Sequence, residues 1–301
     1  MRPITLREPF RAVFYAPFYA ALARGAYAKA GVDVQLLPGD QPAAVKNVVL
    51  SGAADFGWGG PMRVLLAHDA DHDCPLRLFG AVVMGDPFFL VGREINPGFG
   101  LADLATLRLG SVSEVPTPWW TLQDDIRRAG LDPDRVARVT DRSMAENVAG
   151  LKAGRIDVAQ LFEPFVSGME REGSGHAWHA AASRGPTSYT AFYARKDRIA
   201  ALRAEFIAVI HGLRDTLSWF AAASVPEIAA TIEDFFPDLD RDLLERSLQR
   251  YRTLGIWTDN PRFPPEALAR LERAMLSAKA ISWSPGFAGL VDEALTEAAL
   301  V

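Results

Sequence analysis

The clearest pattern of apolar and polar positions lies near the start of the chain, over residues 14–34. Large aromatic and aliphatic side chains first recur at helical spacing, with alanine between them, which predicts an amphipathic helix. Val32, Val34 and Leu36 then alternate with other residues, as in a strand. A short strand-like segment, residues 4–8, precedes the helix. The order strand, helix, strand predicts a parallel sheet that is covered by a helix.

The same kinds of element continue to about residue 91. Glycine and proline separate them, and a proline in the first turn of a helix is well tolerated. The patterns predict helices over 41–50 and 62–68, and strands over 54–61, 76–84 and 87–91.

The α/β pattern then restarts at residue 107. Residues 51–56 and 152–158 resemble each other, because each places a helix end, a glycine and an acidic residue ahead of an apolar strand. Two similar α/β lobes are therefore expected. In the second lobe the patterns predict strands over 107–112, 138–139 and 156–161, and helices over 117–128, 143–151 and 163–170.

A last strand is predicted over residues 187–194, and the rest of the chain is helical. We expect this tail to pack on the first lobe, so that the chain crosses between lobes near 84–91 and 186–193. Lobe 1 would then comprise residues 1–88 and 190–301, and lobe 2 residues 89–189, with a cleft at the hinge. The tail helices are predicted over 199–223, 225–235, 239–251, 264–279 and 286–300.

Composition narrows the class of function. The 301 residues are 49% hydrophobic and carry a net charge of −5, without a block of Lys and Arg, which argues against a nucleic-acid partner. The single cysteine, Cys74, allows neither an intrachain disulfide nor a cysteine-based metal site. No apolar run reaches the roughly 18 residues of a membrane span. The first ten residues lack a signal pattern, so we expect a periplasmic protein whose leader was removed or else a cytoplasmic protein.

Three segments carry a family resemblance: YAPFYAALARGAYAKAGVDVQLLPG, SGAADFGW and LKAGRIDVAQLFEPF. They resemble the solute-binding proteins of nitrate, sulfonate and taurine importers, and the related pyrimidine synthase of fungal thiamine biosynthesis. The resemblance covers about residues 4–195. It implies a two-lobed fold of the periplasmic-binding-protein type II class, a small-molecule ligand in the hinge cleft, and an ABC permease as partner.

One departure from the synthase matters. That enzyme uses a lysine to carry pyridoxal phosphate and a histidine, both just after the strand that ends in Asp-x-Gly. Residues 56–63 of this chain contain neither residue, and the synthase's cysteine cluster is also absent. The resemblance therefore favours binding over synthase chemistry, and we expect no catalytic residue, cofactor or metal. An enzyme of the synthase-like branch and a cytoplasmic ligand sensor remain the alternatives.

The candidate ligand-binding residues lie in loops that follow predicted strands. Trp58, Gly59 and Gly60 offer an aromatic face and bare backbone at a helix start, although a tight turn with a core tryptophan fits the pattern too. Glu163 would suit a ring N–H or a cation, or else stabilise the start of a helix. The other candidates are Phe10, Arg11, Tyr15, Asp86, Phe88, Ser111, Ser113, Glu114, Thr117, Trp119, Phe162 and Tyr189.

These candidates favour a small polar ligand, and their aromatic and acidic character favours a nitrogen heterocycle such as a pyrimidine. Arg11 and Arg63 lie close enough in sequence to keep an oxyanion open as an alternative. Residues 68–73 carry two histidines and three aspartates, but their place after a helix predicts a solvated loop rather than a metal site.

Overall fold

The computed structural model describes residues 3–39 and 41–300. Its strands form two separate five-stranded sheets. In chain order, the strands are β1 (Ile4–Arg7), β2 (Val34–Leu37), β3 (Phe56–Gly59), β4 (Leu76–Val83), β5 (Phe89–Gly92), β6 (Arg108–Val112), β7 (Ala137–Arg142), β8 (Val158–Leu161), β9 (His176–Ala180) and β10 (Thr190–Arg195).

Helices cover these sheets and form the tail. They are α1 (Ala16–Ala23), α2 (Ala26–Lys29), α3 (Ala44–Leu50), α4 (Met62–Ala70), α5 (Thr117–Arg128), α6 (Met144–Lys152), α7 (Phe165–Arg171), α8 (Lys196–Ala201), α9 (Arg203–Ala222), α10 (Val225–Ile232), α11 (Arg241–Leu254), α12 (Pro265–Ser277), α13 (Gly286–Leu290) and α14 (Glu293–Ala298). Helix α5 has the predicted bounds. In the described part of the chain, no helix is both long and apolar enough to cross a membrane.

The two sheets have the same topology. The first has the strand order β2-β1-β3-β10-β4, in which β1 pairs in parallel with β2 and β3, and β10 runs antiparallel between β3 and β4. The second has the order β7-β6-β8-β5-β9, in which β6 pairs in parallel with β7 and β8, and β5 runs antiparallel between β8 and β9. We call each sheet with its covering helices a lobe. The predicted two-lobed α/β class is confirmed.

The chain passes from the first sheet to the second between β4 and β5, and returns between β9 and β10. Residues 83 and 89 are the strand ends on either side of the first crossing, and 180 and 190 those on either side of the second. The division into residues 1–88 with 190–301 and residues 89–189 stays a prediction.

The first helix differs from its prediction. A 3₁₀ turn, Val13–Tyr15, opens it, and Gly25 separates α1 from α2 because its φ of 61° is left-handed and incompatible with a continuous helix. Helix α1 is also buried on nearly all sides rather than amphipathic, since α9 packs over it. The sequence pattern missed this because the covering helix lies far along the chain.

The tail is more broken than predicted and touches both lobes. The predicted helix 199–223 is divided between α8 and α9 at Leu202, and 286–300 between α13 and α14. Helix α9 packs on α1 and α2 of the first lobe, as expected. However, α11 packs against α7, and α12 against α5, both in the second lobe. The tail therefore bridges the two lobes.

The repeated sequence segment has a structural counterpart. The Asp55 carboxylate accepts a hydrogen bond from the Thr5 backbone N–H at 2.7 Å, so the residue before β3 is tied to β1. The Asp157 carboxylate accepts from the Arg108 backbone N–H at 2.9 Å, which ties the residue before β8 to β6. The same interaction therefore fixes the register of equivalent strands in both lobes.

Candidate functional site

A small closed cavity lies between the lobes, beside the carboxyl ends of β1, β3 and β8, where ligands of α/β sheets bind. Its volume is about 30 Å³. Since a water molecule needs roughly 10–15 Å³ by this measure, the cavity has room for about two waters. The lobes are thus closed on each other. The lining residues are Pro9, Phe10, Phe14, Tyr15, Pro42, Gly59, Gly60, Met62, Arg63, Phe88, Val115, Thr117, Phe162 and Tyr189.

Aromatic rings form most of the cavity wall and connect the two lobes. Phe10 and Phe14 of the first lobe have ring centroids 6.3 and 5.3 Å from that of Phe162 in the second. Phe88, at the first crossing, lies 5.2 Å from Phe162. Tyr189, at the second crossing, lies 5.9 Å from Phe14. These contacts close the cavity and offer apolar faces to a ligand.

Arg63 is the cation of the cavity wall. It lies in the first turn of α4 and is half-buried. Among the residues that the structure describes, none places a carboxylate within 4.0 Å of its guanidinium group. Burial lowers the pKa of Arg63, while Tyr193, Tyr15 and Tyr189 act in the opposite direction. An arginine stays charged in proteins, so the cavity holds a desolvated cation that lacks a carboxylate partner in the described chain.

Three phenols surround this cation and can donate hydrogen bonds. Burial raises the pKa of Tyr15, Tyr189 and Tyr193, so their hydroxyl groups stay protonated at neutral pH. The Tyr193 hydroxyl has no hydrogen-bond partner within residues 3–39 and 41–300. It lies behind Gly59, where a Cβ atom would come within 3.6 Å of its oxygen. The cavity therefore combines a positive charge with unsatisfied donor capacity.

Two helices begin at the cavity, one from each lobe. Gly60, Met62 and Arg63 line it at the start of α4, and Val115 and Thr117 line it at the start of α5. At these starts the Arg63 N–H donates to the Gly60 carbonyl at 3.0 Å and the Trp119 N–H to the Pro116 carbonyl at 3.1 Å. The Met62 and Thr117 N–H groups, with the partial positive charge of each helix end, remain for a ligand. Both helix starts therefore favour an anion in the cavity.

Half of the candidate residues line this cavity. They come from the loops that follow β1, β3 and β8, from the start of α5, and from the two crossings. The alternation of strands and loops in the sequence is the signal that found them. These residues are Phe10, Tyr15, Gly59, Gly60, Phe88, Thr117, Phe162 and Tyr189.

The structure places the two candidate tryptophans elsewhere. Trp58 is fully buried within the first lobe, where its ring stacks on Phe18 with centroids 4.8 Å apart. Strand β3 extends through Gly59, so Trp58 still belongs to the strand and its side chain enters the core. Trp119 lies on α5. The guanidinium carbon of Arg138 lies over its indole ring, 4.2 Å from the ring centroid. Neither lines the cavity.

The polar residues at the end of β6 and directly after it do not line the cavity either. The Ser111 side chain is buried, and its backbone carbonyl accepts a hydrogen bond from Asn147. Ser113 is exposed. The Glu114 carboxylate accepts from the Met144 backbone N–H at 2.8 Å, at the start of α6. These three residues support the second lobe.

Glu163 occupies a buried site of its own. It is fully buried and accepts hydrogen bonds from the Ser167 backbone N–H at 2.9 Å and the Ser167 hydroxyl at 2.8 Å. The Arg250 Nε atom of α11 lies 2.6 Å from its carboxylate. Burial raises the pKa of Glu163, although Ser167 and Arg250 act to lower it. Its partners satisfy it, and it does not reach the cavity.

Asp86 belongs to a network at the hinge. Its carboxylate pairs with Arg184, accepts from the Thr121 hydroxyl at 3.1 Å and accepts from the Phe88 backbone N–H at 3.0 Å. Arg184 also donates to Asp125 at 2.7 Å. This network joins both crossings to α5. Arg11 lies just outside the cavity, in a neighbouring groove.

The candidate set left out six of the lining residues. Phe14 counts among the aromatic residues that favour a heterocycle, and Arg63 keeps an oxyanion open, but neither is a candidate residue. Arg63 follows a Gly-Gly-Pro turn after one residue, Met62, and this place in the first turn of a helix is the sequence signal for it. The others are Pro9, Pro42, Met62 and Val115.

Other chemical features lie away from this cavity. A wider depression of about 890 Å³ is bordered by β9, α7 and α11, which is not where the parallel strands end. His68 is buried with its Nε2 atom 3.0 Å from the Leu76 carbonyl, and Cys74 is buried beside β4. Within the described ranges, no three His, Cys, Asp or Glu residues form a group that could hold a metal ion.

Fold and cavity together define a two-lobed α/β protein of the periplasmic-binding class. The model of the NMT1/THI5-like family matches residues 14–213, which is most of the chain. The protein belongs to this family, and the resemblance stated from the sequence is confirmed.

Known proteins of similar sequence and fold agree with this. Bacillus subtilis (strain 168) YtlA, named "Putative binding protein YtlA", is 24% identical over 260 residues, which cover 86% of this chain and 78% of YtlA. The aliphatic sulphonate binding protein SsuA of Escherichia coli is 14% identical, with a TM-score of 0.75 over 94% of this chain and 95% of its own. The alkanesulfonate-binding protein SsuA of Xanthomonas axonopodis pv. citri, bound to MOPS, is 15% identical, with a TM-score of 0.71 over 99% and 98%. At these identities the structural likeness shows the fold alone.

Proposed function

We propose that this protein is the solute-binding component of an ABC-type importer and that its ligand is a small organic anion. The lobes close on the ligand in the hinge cleft, and an ABC permease receives it. The observation that carries the anion is Arg63, a desolvated cation in an aromatic cavity with no carboxylate partner among the described residues. An anionic ligand would supply the missing partner.

The rest of the cavity supports the same ligand. Two helix starts and the protonated phenols all offer positive or donor groups. The aromatic walls would pack against an apolar part of the ligand. A sulfonate or carboxylate on a small apolar body combines both requirements.

The expectation of a pyrimidine relied on Glu163 as an acceptor for ring N–H groups. Glu163 is instead bound by Ser167 and Arg250. The described residues that line the cavity include no acidic side chain. A neutral heterocycle would therefore leave Arg63 uncompensated, which is why we favour an anion over it.

The proposed mechanism is a population shift. A ligand that touches both lobes binds the closed state more tightly than the open one, and closure follows from that difference in affinity. Phe162 and Thr117 from the second lobe and Arg63 from the first line one cavity, so only the closed state offers all three.

The similar proteins support the proposal as analogies. Two solved structures of this fold are named as sulfonate-binding proteins, and YtlA as a binding protein. Their ligands are properties of those proteins, and the inference to this chain rests on Arg63.

The experiment is a thermal-shift screen followed by calorimetry. Probes are ethanesulfonate, benzenesulfonate, taurine, nitrate, benzoate and the neutral pyrimidine uracil. A ligand at 100 times its Kd stabilises the protein by about 2.7 kcal/mol, which a midpoint shift detects. We expect an organic anion to bind, Arg63→Met to weaken it about 100-fold, and Arg63→Lys about 10-fold because the bidentate fork is lost.

Arg246→Met is the matched control, because Arg246 is an exposed helical arginine outside the cavity. It should leave the affinity unchanged. Equal binding of the anion by wild type and Arg63→Met would contradict the proposal, as would tight binding of uracil without any response to the anions.

A further inference from the structure

A second groove opens next to the closed cavity. Its volume is about 330 Å³, against about 30 Å³ for the cavity. Residues 11–13 of the first lobe, Phe162, Pro164 and Phe165 of the second, and residues 235–239 of the tail line it. Like the cavity, the groove is therefore built where the lobes meet.

One side chain belongs to both volumes. Phe162 lines the cavity and the groove. Its ring centroid is 5.3 Å from that of Phe14 on the cavity side and 6.1 Å from that of Phe165 on the groove side. Phe162 is thus the side chain that the two volumes share.

The groove is mostly apolar, its one cation is paired, and its one carboxylate, Asp238, is exposed to solvent. Four phenylalanine rings, two prolines and Leu239 supply most of its surface. Arg11 lies 3.1 Å from the Glu8 carboxylate through its Nε atom, and its guanidinium carbon lies 5.2 Å from the Phe235 ring centroid. The groove therefore suits a hydrocarbon chain rather than a second charged group.

The cavity and the groove differ in size and charge, so each suits a different part of one ligand. The cavity has the charge but room for little more than a head group, whereas the groove is larger and has no unpaired cation among its described residues, its one carboxylate, Asp238, being exposed. We propose that the groove is a second subsite, which holds the apolar chain of a ligand whose anionic head lies at Arg63. The ligand class is then an amphiphilic anion, and this inference rests on the proposed function.

The test is a calorimetric series at constant ionic strength with ethanesulfonate, butanesulfonate, hexanesulfonate and octanesulfonate. Each methylene group that enters the groove should raise the affinity about 4-fold. Leu239→Asp places a carboxylate in the groove and should weaken octanesulfonate about 30-fold while ethanesulfonate stays within about 2-fold. Leu239→Ala makes the same distinction with a milder loss of about 5-fold, should the charged variant fold poorly.

Leu254→Asp is the matched control. Leu254 is a half-buried leucine that lines the depression of about 890 Å³ instead. This variant should leave the whole series unchanged. Equal effects of Leu239→Asp and Leu254→Asp, or an octanesulfonate no tighter than ethanesulfonate in the wild type, would overturn the subsite.

The series also separates the two proposals. If ethanesulfonate binds and depends on Arg63, but chain length has no effect, the subsite fails and the proposed function stands. If neither the sulfonates nor the other anions of the first screen bind, or if all bind Arg63→Met as they bind the wild type, both proposals fail.

Discussion

The junctions between β3 and α4 and between β8 and α7 occupy equivalent places in the two lobes. Each follows the strand that pairs in parallel with the second strand in the order of its sheet, which is β1 in the first sheet and β6 in the second. Each junction carries one charged residue, and the two residues differ in whether the protein supplies a partner of opposite charge. Arg63 stands at the cavity without a carboxylate from the described residues, whereas Glu163 is enclosed by Ser167 and Arg250.

The two lobes therefore differ in what they contribute to the cavity. The first lobe supplies nine of the fourteen cavity-lining residues, including the cation, so it is suited to hold a ligand by itself. The second lobe supplies Val115, Thr117 and Phe162, which complete the enclosure. Glu163 instead joins the second lobe to tail helix α11, and so stabilises the arrangement of the lobes. The protein itself supplies the partners of Glu163, whereas Arg63 has no carboxylate partner among the described residues.

The largest effect is expected when the satisfied junction is broken. Arg250→Met leaves Glu163 buried without its cation, and should lower the free energy of unfolding by about 3 kcal/mol at pH 7. Because burial raises the pKa of Glu163, the folded state binds its proton more tightly than the unfolded state. Stability is therefore gained as pH falls through the folded pKa, and the loss in this variant should shrink at pH 5.

Urea denaturation at both pH values measures this effect. Arg171→Met is the control, because Arg171 pairs with Asp240 on the surface and its replacement should cost far less than that of Arg250. Similar losses in the two variants, or a larger loss at pH 5 than at pH 7, would show that Glu163 is not a buried charge.

A second comparison uses the repeated aspartates. Asp55→Asn should lower the free energy of unfolding by about 2 kcal/mol, because Asp55 is 5% exposed and binds Thr5 and Arg198. Asp157→Asn should cost only about 1 kcal/mol, since Asp157 is closer to solvent. Thermal denaturation of both variants gives the order, and the reverse order would show that burial does not decide the strength of these interactions.

The pH dependence of Asp157 adds a check. The Arg108 side chain lowers the pKa of Asp157 to about 2. A lowered pKa contributes stability above the unfolded value, and this contribution is lost as pH falls toward the folded one. The difference between wild type and Asp157→Asn should therefore decrease as pH falls below about 4.

The smallest effect is expected at the unsatisfied junction. Arg63→Met in the ligand-free protein should raise the free energy of unfolding by about 1 kcal/mol, because it removes a desolvated cation that the described protein does not compensate. Chemical denaturation without ligand measures this. A clear loss of stability would mean that Arg63 has a structural partner, and would remove the contrast between the junctions.

Much of the fold could be predicted because its signals are local. Helix α5 lies between a Thr-Pro start and Gly130, whose φ of 81° ends it, so its bounds follow from the sequence. The alternation of strands and helices likewise identified both sheets. The helix breaks at Gly25 and Leu202 are harder to predict from the sequence, since each depends on how helices pack against one another.

The candidate site was predicted where position along the strand decides the answer. Gly59 ends β3, Gly60 and Phe162 directly follow β3 and β8, and all three line the cavity. Trp58 differs by one residue, yet it lies within β3 opposite Phe192 of β10, and this register directs its side chain into the core. The role of Glu163 depends on Arg250, which is far away in sequence. Because Arg250 pairs with Glu163, Glu163 is not available to a ligand, and Arg63 is the charged residue that we propose for ligand binding.

The place of β10 in the first sheet has a consequence for the order in which the chain folds during synthesis. Strands β3 and β4 are not neighbours, because β10 lies between them and pairs with both. On a ribosome, the chain is made from the amino end, and the whole second sheet is synthesised before β10 emerges. The second lobe can therefore assemble while the first still has a gap in its sheet. The sheet of the first lobe is therefore the last to be completed.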